Sequence, residues 1–451
     1  MMKRNTLCLL ILATVLAPLG TAVHAAVSAE EAGRLGKDLT PMGAVRAGNA
    51  NGTIPAWDGG LTKVPAGWSR DQGYADPFAA EKPLFVITAQ NLDQYRANLT
   101  DGMIAMFKKY PNYRMPVYPT HRTFAQPQAV YDHVKKLATT TTLEADGSLS
   151  NYELAGPPFP IPKTGKEVMY NHLLRWYGGY KWCTNWLPVQ PSGDFYRVGY
   201  CEEQIQAQNM DTPKPNDLYY YFGRYTAPTT LVGTIYLVWE PVDYAKDDRS
   251  AWIYNAGQRR VRRAPNVAFD NIDDGTEGMR ITDDWHGFNG SMERYNWKLV
   301  GKKEVYIPYN TYKLSDPKLK YEDMLDKGHI KPDLLRYEMH RVWVVEATVK
   351  EGVSHNYARR TFYFDEDSWI IAAQDAYDSR GDLWRHYAFP LTQLYDIPTM
   401  WPRPYMVHDL NSGSLFLGQM DNEIKQPSLS LGVKGKVDDF RSDALRRRGV
   451  Y

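Results

Sequence analysis

Leu231-Val232-Gly233-Thr234-Ile235-Tyr236-Leu237-Val238-Trp239 is the stretch whose reading decides the fold. It is rich in β-branched, aliphatic and aromatic residues and carries no charge, which suits a half-buried pleated strand. Downstream, Trp252-Ile253-Tyr254 passes through Asn255-Ala256-Gly257-Gln258 into Arg259-Arg260-Val261-Arg262-Arg263, the pattern of a hairpin with a Gly-containing loop. Further strand patterns occupy residues 294–308, 337–349, 358–364, 368–377 and 384–395. No helix-length crossover separates them, so the sheet is expected to be antiparallel. Such a sheet buries one face against helices and leaves room to curve around a ligand. Alternation places Ile235, Leu237, Trp239, Trp343 and Val345 on one face, the expected ligand-binding face, with Trp252 and Tyr254 beside them.

Upstream of this sheet the pattern changes. Residues 26–85 are rich in Gly, Pro, Asn and Asp, and Ile54, Trp57 and Trp68 are apolar anchors that favour an extended segment wrapped on the surface. Helical spacing predicts a helix over residues 88–110, capped by Thr88 and expected to cover part of the ligand cavity. Shorter helices are predicted over 128–138 and 168–177, with a Pro-rich break at 156–162 between them. The division that results is 26–85 wrapping, 86–215 helical and Pro-rich, 216–400 antiparallel sheet and 401–451 a C-terminal strap, within one structural unit.

Residues 1–25 read as a secretory signal peptide. Lys3 and Arg4 form the positive start, residues 7–19 the apolar run, and Val23 and Ala25 the small residues before a cut after Ala25. Export from the cytoplasm follows. Without Lys3 and Arg4, Lys plus Arg falls from 53 to 51 against 52 Asp plus Glu, a net charge of about −1. That is not the footprint of a nucleic-acid binder. With Cys8 inside the signal, Cys183 and Cys201 remain, and an oxidising compartment favours their pairing; the alternative is two buried thiols.

Signatures of catalysis are absent. The sequence holds no Gly-x-Ser-x-Gly elbow, no His-Glu-x-x-His and no Gly-rich phosphate loop. The acidic loop Asp270-Asn271-Ile272-Asp273-Asp274-Gly275-Thr276-Glu277 fails the calcium-loop alternation at Ile272 and reads as a solvated loop. The arginine run from Arg259 to Arg263 suits either an acidic partner or a charged edge strand. His121 reads as part of a rigid docked segment. No catalytic residue, metal site or cofactor is assigned.

Several ordered stretches carry a family resemblance. Leu39-Thr40-Pro41-Met42-Gly43-Ala44, Gly52-Thr53-Ile54-Pro55-Ala56-Trp57, Val117-Tyr118-Pro119-Thr120-His121-Arg122, Pro158-Phe159-Pro160-Ile161-Pro162 and Arg259-Arg260-Val261-Arg262-Arg263-Ala264-Pro265 together resemble the bacterial domain-of-unknown-function family DUF1329. The resemblance implies a Gram-negative periplasmic protein with a fold similar to outer-membrane lipoprotein carriers and receptors. In that α+β fold a large curved antiparallel sheet forms an incomplete, half-open barrel, and helices cover its concave side. It also implies an envelope setting near efflux-type transporters and outer-membrane proteins. The expected function is carriage or reception of a hydrophobic small molecule, lipid or acyl chain. An enzyme acting on envelope lipids or esters, and a scaffold for a transporter, are the competing readings.

Overall fold

Sixteen strands hydrogen-bond into one sheet in the computed structural model, which describes residues 26–154, 156–255, 257–264 and 270–448. The signal peptide read over residues 1–25 lies outside the described residues. The first eight strands are β1 (Phe85–Ile87), β2 (Met115–Val117), β3 (Gly179–Val189), β4 (Val198–Gln206), β5 (Asp217–Tyr225), β6 (Ile235–Pro241), β7 (Ser250–Asn255) and β8 (Arg260–Arg263). The others are β9 (Tyr295–Pro308), β10 (Tyr337–Val349), β11 (Arg359–Asp365), β12 (Ile371–Tyr377), β13 (Leu383–Ala388), β14 (Tyr405–Asp409), β15 (Leu415–Met420) and β16 (Leu429–Leu431). Their order is β1-β2-β10-β11-β12-β13-β14-β15-β3-β4-β5-β6-β7-β8, with β9 beside β10 and β16 beside β3. Neighbours run antiparallel except at the parallel contact between Tyr337 and Val117. The ends of this order, β1 and β8, do not pair, so the curved sheet stays open.

Several strands follow the sequence pattern closely. Residues 294–308, 337–349 and 358–364 become β9, β10 and β11 within a residue or so. The opening stretch enters its strand only at Ile235, because Gly233 takes a φ of 85° in the preceding turn. Two long strands, β3 and β4, fall in the portion read as helical and Pro-rich, and β14 and β15 in the portion read as a strap. Their inward and outward positions are both buried, so they lack the polar-apolar alternation that marks a half-exposed strand.

Helices pack on both faces. α1 (Ala29–Ala32) carries a Ser28/Glu31 capping box, and its Ala32 packs with Ala138 of α3 (Gln128–Thr140). α2 (Asp101–Lys109) is shorter than the predicted helix. Residues 92–98 form two single 3₁₀ turns, and Thr100, not Thr88, caps α2 by accepting from the Met103 N–H at 3.2 Å. α4 (Gly165–Leu173) has its own capping box, Thr164 with Glu167.

Register shows which face each helix covers. Gly102 of α2 donates its N–H to Asp375 at 3.1 Å, and a Cβ there would lie 2.1 Å from the His386 ring. Asp375 and His386 are register partners and share a face. Gln374 and Tyr387 form the next register pair, on the opposite face, where α4 lies with His172 against Phe364 at 5.8 Å. α2 therefore covers the outer face, and α4 and the segment 270–294 cover the inner one, a correction to the expected placement of residues 88–110 over the cavity. The expected anchors of the N-terminal segment are engaged: Ile54 is buried in the main core, Trp57 donates to the Phe124 carbonyl at 3.0 Å, and Trp68 packs on Tyr395.

Among the described residues no helix is long and apolar enough to cross a membrane. Cys183 and Cys201 stand opposite one another on β3 and β4 and are joined as a disulfide.

Candidate functional site

The inner face of β3 to β6 is aromatic. Tyr200 on β4 faces Thr184 on β3 and Tyr225 on β5, while Tyr221 on β5 faces Val238 on β6. Period-two alternation therefore stacks Tyr200, Tyr221, Tyr225, Tyr236 and Val238 on one surface. Segment 270–294 roofs them over a partly open cavity that Trp186, Arg280 and Trp285 also line.

Arg280 fixes this roof. Its guanidinium lies between two indoles, 4.2 Å from the Trp186 ring centre and 4.7 Å from that of Trp285. It donates to Asp273 at 2.6 Å and to the Tyr405 hydroxyl at 3.0 Å. The roof is tied down again by Arg360, fully buried on β11, which pairs with Asp283 at 3.1 Å and with Asp284. Arg360 and His355 hold Asp283 below the usual carboxylate range against the opposing effect of burial. These ion pairs are buried and hydrogen-bonded, so removing one partner would strand the other charge.

A second cavity adjoins the first, and the two share Tyr219 and Asn289. Between them the Tyr219 hydroxyl donates to the Asn289 side-chain oxygen at 3.1 Å, and Arg249 pairs with Glu240 and donates to the Asn289 carbonyl at 3.0 Å. A third shares Arg175, Tyr177 and His286 with the second. The three form a row along the inner face. His286 stands at the junction with φ 54°, a left-handed conformation uncommon for a side-chain-bearing residue and one found at ligand-contacting positions. Burial, then the nearby Arg175 and Arg280, hold its imidazole well below its ordinary pKa, so it is neutral. His172 clips α4 to this junction, its Nε2–H donating to the His286 carbonyl at 2.9 Å and its Nδ1 accepting from the Ile371 N–H at 3.3 Å.

Glu202 is buried behind the tyrosines. It accepts from Tyr221 at 3.3 Å and from Tyr180 and Gln419 at 3.4 Å. Burial pushes its carboxyl up to about 8, and it is therefore mostly protonated at neutral pH. Burial keeps the tyrosine hydroxyls of this wall protonated, and its charged members are paired, Arg280 with Asp273 and Arg249 with Glu240.

The residues expected to bind ligand fall in two places. Ile235, Leu237, Trp239, Trp252 and Tyr254 come together, but on the outer face, where α6 (Ser442–Arg448) and the turn before it cover them through Phe440 and Leu445. The Trp239 indole donates to the Phe440 carbonyl at 2.7 Å. Trp343 and Val345 lie on the inner face, outside the cavity walls: Trp343 stacks near Trp369 at 6.2 Å, and Val345 packs under Gly165 at the start of α4. Tyr236 and Val238, the alternate positions of the opening stretch, line the cavity instead.

Other motifs are engaged elsewhere. Asp273, Asp274 and Glu277 of the acidic loop are bonded separately to Arg280, Tyr236 and Tyr196. His121 bonds Glu81 at 2.8 Å and stacks on Phe78. Arg260 and Arg262 are exposed on β8, at one end of the sheet. His340, Asp365 and Asp367 bring potential metal-ligating atoms within 4.8 Å of one another. Arg122 already pairs with Asp367 through both oxygens, at 2.9 and 2.6 Å, which suits an internal ion-pair network better than a cation.

The family model of DUF1329, described as a protein of unknown function, matches residues 86–446. The chain belongs to this family. A curated relative, the uncharacterized protein PA3922 of Pseudomonas aeruginosa, is 47% identical over 441 residues, covering 96% of each chain. The chain is also similar to the crystal structure of a DUF1329 family protein from Desulfovibrio piger, at 14% identity and a TM-score of 0.40, covering 71% of this chain and 100% of that one. A LolA superfamily protein from Nitrosomonas europaea gives 12% identity and a TM-score of 0.38, covering 63% and 100%.

Proposed function

We propose that this chain is a periplasmic, non-enzymatic carrier or receptor for a hydrophobic ligand, of the lipid or acyl-chain class. The observation that carries the reading is the row of aromatic-walled cavities between the inner sheet face and the roof of residues 270–294. An apolar molecule crossing an aqueous space gains about 25 cal/mol for each Å² of apolar surface removed from water. The tyrosines and tryptophans of the first cavity offer apolar rings with polar tips, which suits an amphiphile.

The disulfide between Cys183 and Cys201 suits an oxidising compartment and supports a periplasmic setting. Delivery to an efflux-type transporter or an outer-membrane protein belongs to this proposal. The test is a titration of the protein with a long-chain acyl probe, followed by tryptophan fluorescence. Trp186 and Trp285 line the cavity, so saturable quenching or a spectral shift is expected. Unchanged emission at probe concentrations up to the solubility limit would overturn the reading.

A further inference from the structure

Arginines that this fold buries are paired. Arg122, Arg280, Arg336, Arg360, Arg385 and Arg403 each meet a carboxylate within 4 Å. Arg175, about nine-tenths buried, meets none among the described residues. Its Nη1 donates to the His172 carbonyl at 2.5 Å, near the end of α4, and its guanidinium lies 5.8 Å from the Tyr177 ring. These are its polar and ring contacts among the described residues. One donor caps the helix, and the remaining N–H groups have no acceptor among the described residues. The side chain lines both the second and third cavities, at their junction.

An arginine stays charged at any physiological pH, so burial without an anion leaves several kcal/mol of desolvation uncompensated. Burial is also the largest influence on this guanidinium and lowers its pKa; the groups that oppose it are the tyrosines 177, 180 and 219, not a carboxylate. A planar fork of donors aimed into a cavity matches the paired oxygens of a carboxylate or phosphate.

We propose that Arg175 receives the anionic head group, carboxylate or phosphate, of an amphiphilic ligand whose apolar part lies along the tyrosine-lined cavities. The inference rests on the carrier reading and adds the ligand's charge and polarity. With the head at Arg175, the tail runs through the second cavity past Tyr219 and Asn289 into the first.

The test compares palmitate, hexadecyl phosphate and hexadecanol by calorimetric titration of the delipidated full chain. Both anionic amphiphiles should bind at least about tenfold tighter than the alcohol. Arg175→Gln should bring all three within about twofold, and acetate or inorganic phosphate alone should not compete. Equal binding of the three by the wild type would overturn the head-group assignment and leave the carrier reading standing. Binding of none would overturn both readings. Full competition by inorganic phosphate, with no binding of hexadecanol, would make a free anion the ligand and overturn both as well. A measurement that needs no variant is carbon-13 NMR of bound carboxyl-labelled palmitate. Its titration midpoint should fall below that of the free acid, and an unshifted or raised midpoint would overturn the assignment.

Discussion

Arg280 shows how a single residue shapes the cavity. Its charge is spent on Asp273 and its flat faces on Trp186 and Trp285, so it holds the roof to the sheet without presenting a free charge to a ligand. Val238 and Leu237 separate binding from folding. Val238 lines the cavity, whereas Leu237 is fully buried under the C-terminal segment. Val238→Arg is expected to weaken acyl-probe binding at least about tenfold while lowering the unfolding midpoint less than Leu237→Arg does. Leu237→Arg buries an unpaired charge and should cost about 4 kcal/mol or more in urea unfolding. The reverse pattern would place the site on the outer face. Glu202 makes a pH prediction. Its carboxyl sits at about 8 when folded, against 4.5 in an ordinary setting. Below pH about 4.5 both states are protonated and its contribution to stability is fully present. As pH rises toward 8, the unfolded chain sheds a proton that the folded chain keeps, and the contribution is progressively lost. Glu202→Gln stays neutral and should lose roughly 3 kcal/mol less stability than wild type between pH 5 and pH 8. Parallel stability curves in urea titrations would contradict the assignment.

At the scale of elements, the C-terminal segment acts as a cover for an apolar sheet face. Phe440 is 1% exposed among Tyr220, Phe222 and Leu237. Phe440→Ala should therefore cost about 3–5 kcal/mol, read by chemical unfolding, and a loss within experimental error would mean the segment is not fastened there. The disulfide between β3 and β4 closes a sequence separation of 18, for which loop-closure entropy gives about 3 kcal/mol. Reduction should lower the urea midpoint accordingly, and an unchanged midpoint would contradict that contribution. The strands 295–308 and 337–349 were legible because long β-rich runs reveal their type directly. The face that carries the cavities was not, since Leu237 and Val238 are both apolar and both buried. Alternation divides the two faces of such a strand without saying which meets the cavity. Arg280, Arg175 and the roof residues carried no sequence signal either, since their meaning lies in contacts with residues far along the chain. The tyrosine richness of residues 219–225 was visible as composition and became a site only through register.

The whole molecule is an open sheet with different coverings on its two faces. Outside, α2 and the C-terminal segment seal apolar side chains within the chain itself. Inside, α4 and residues 270–294 leave a row of cavities, held open by buried ion pairs at Arg280 and Arg360. Membership of DUF1329 sets the family, and the row of cavities is what gives the proposed carrier a place to shield its cargo. The central claim is that this row holds a hydrophobic ligand. Its most direct test is native mass spectrometry of the full chain purified from the bacterial envelope, with organic extraction of whatever it carries. The account predicts a near-stoichiometric hydrophobic or amphiphilic molecule that the Val238→Arg variant does not retain. Wild-type protein that carries nothing and takes up no acyl probe would contradict it.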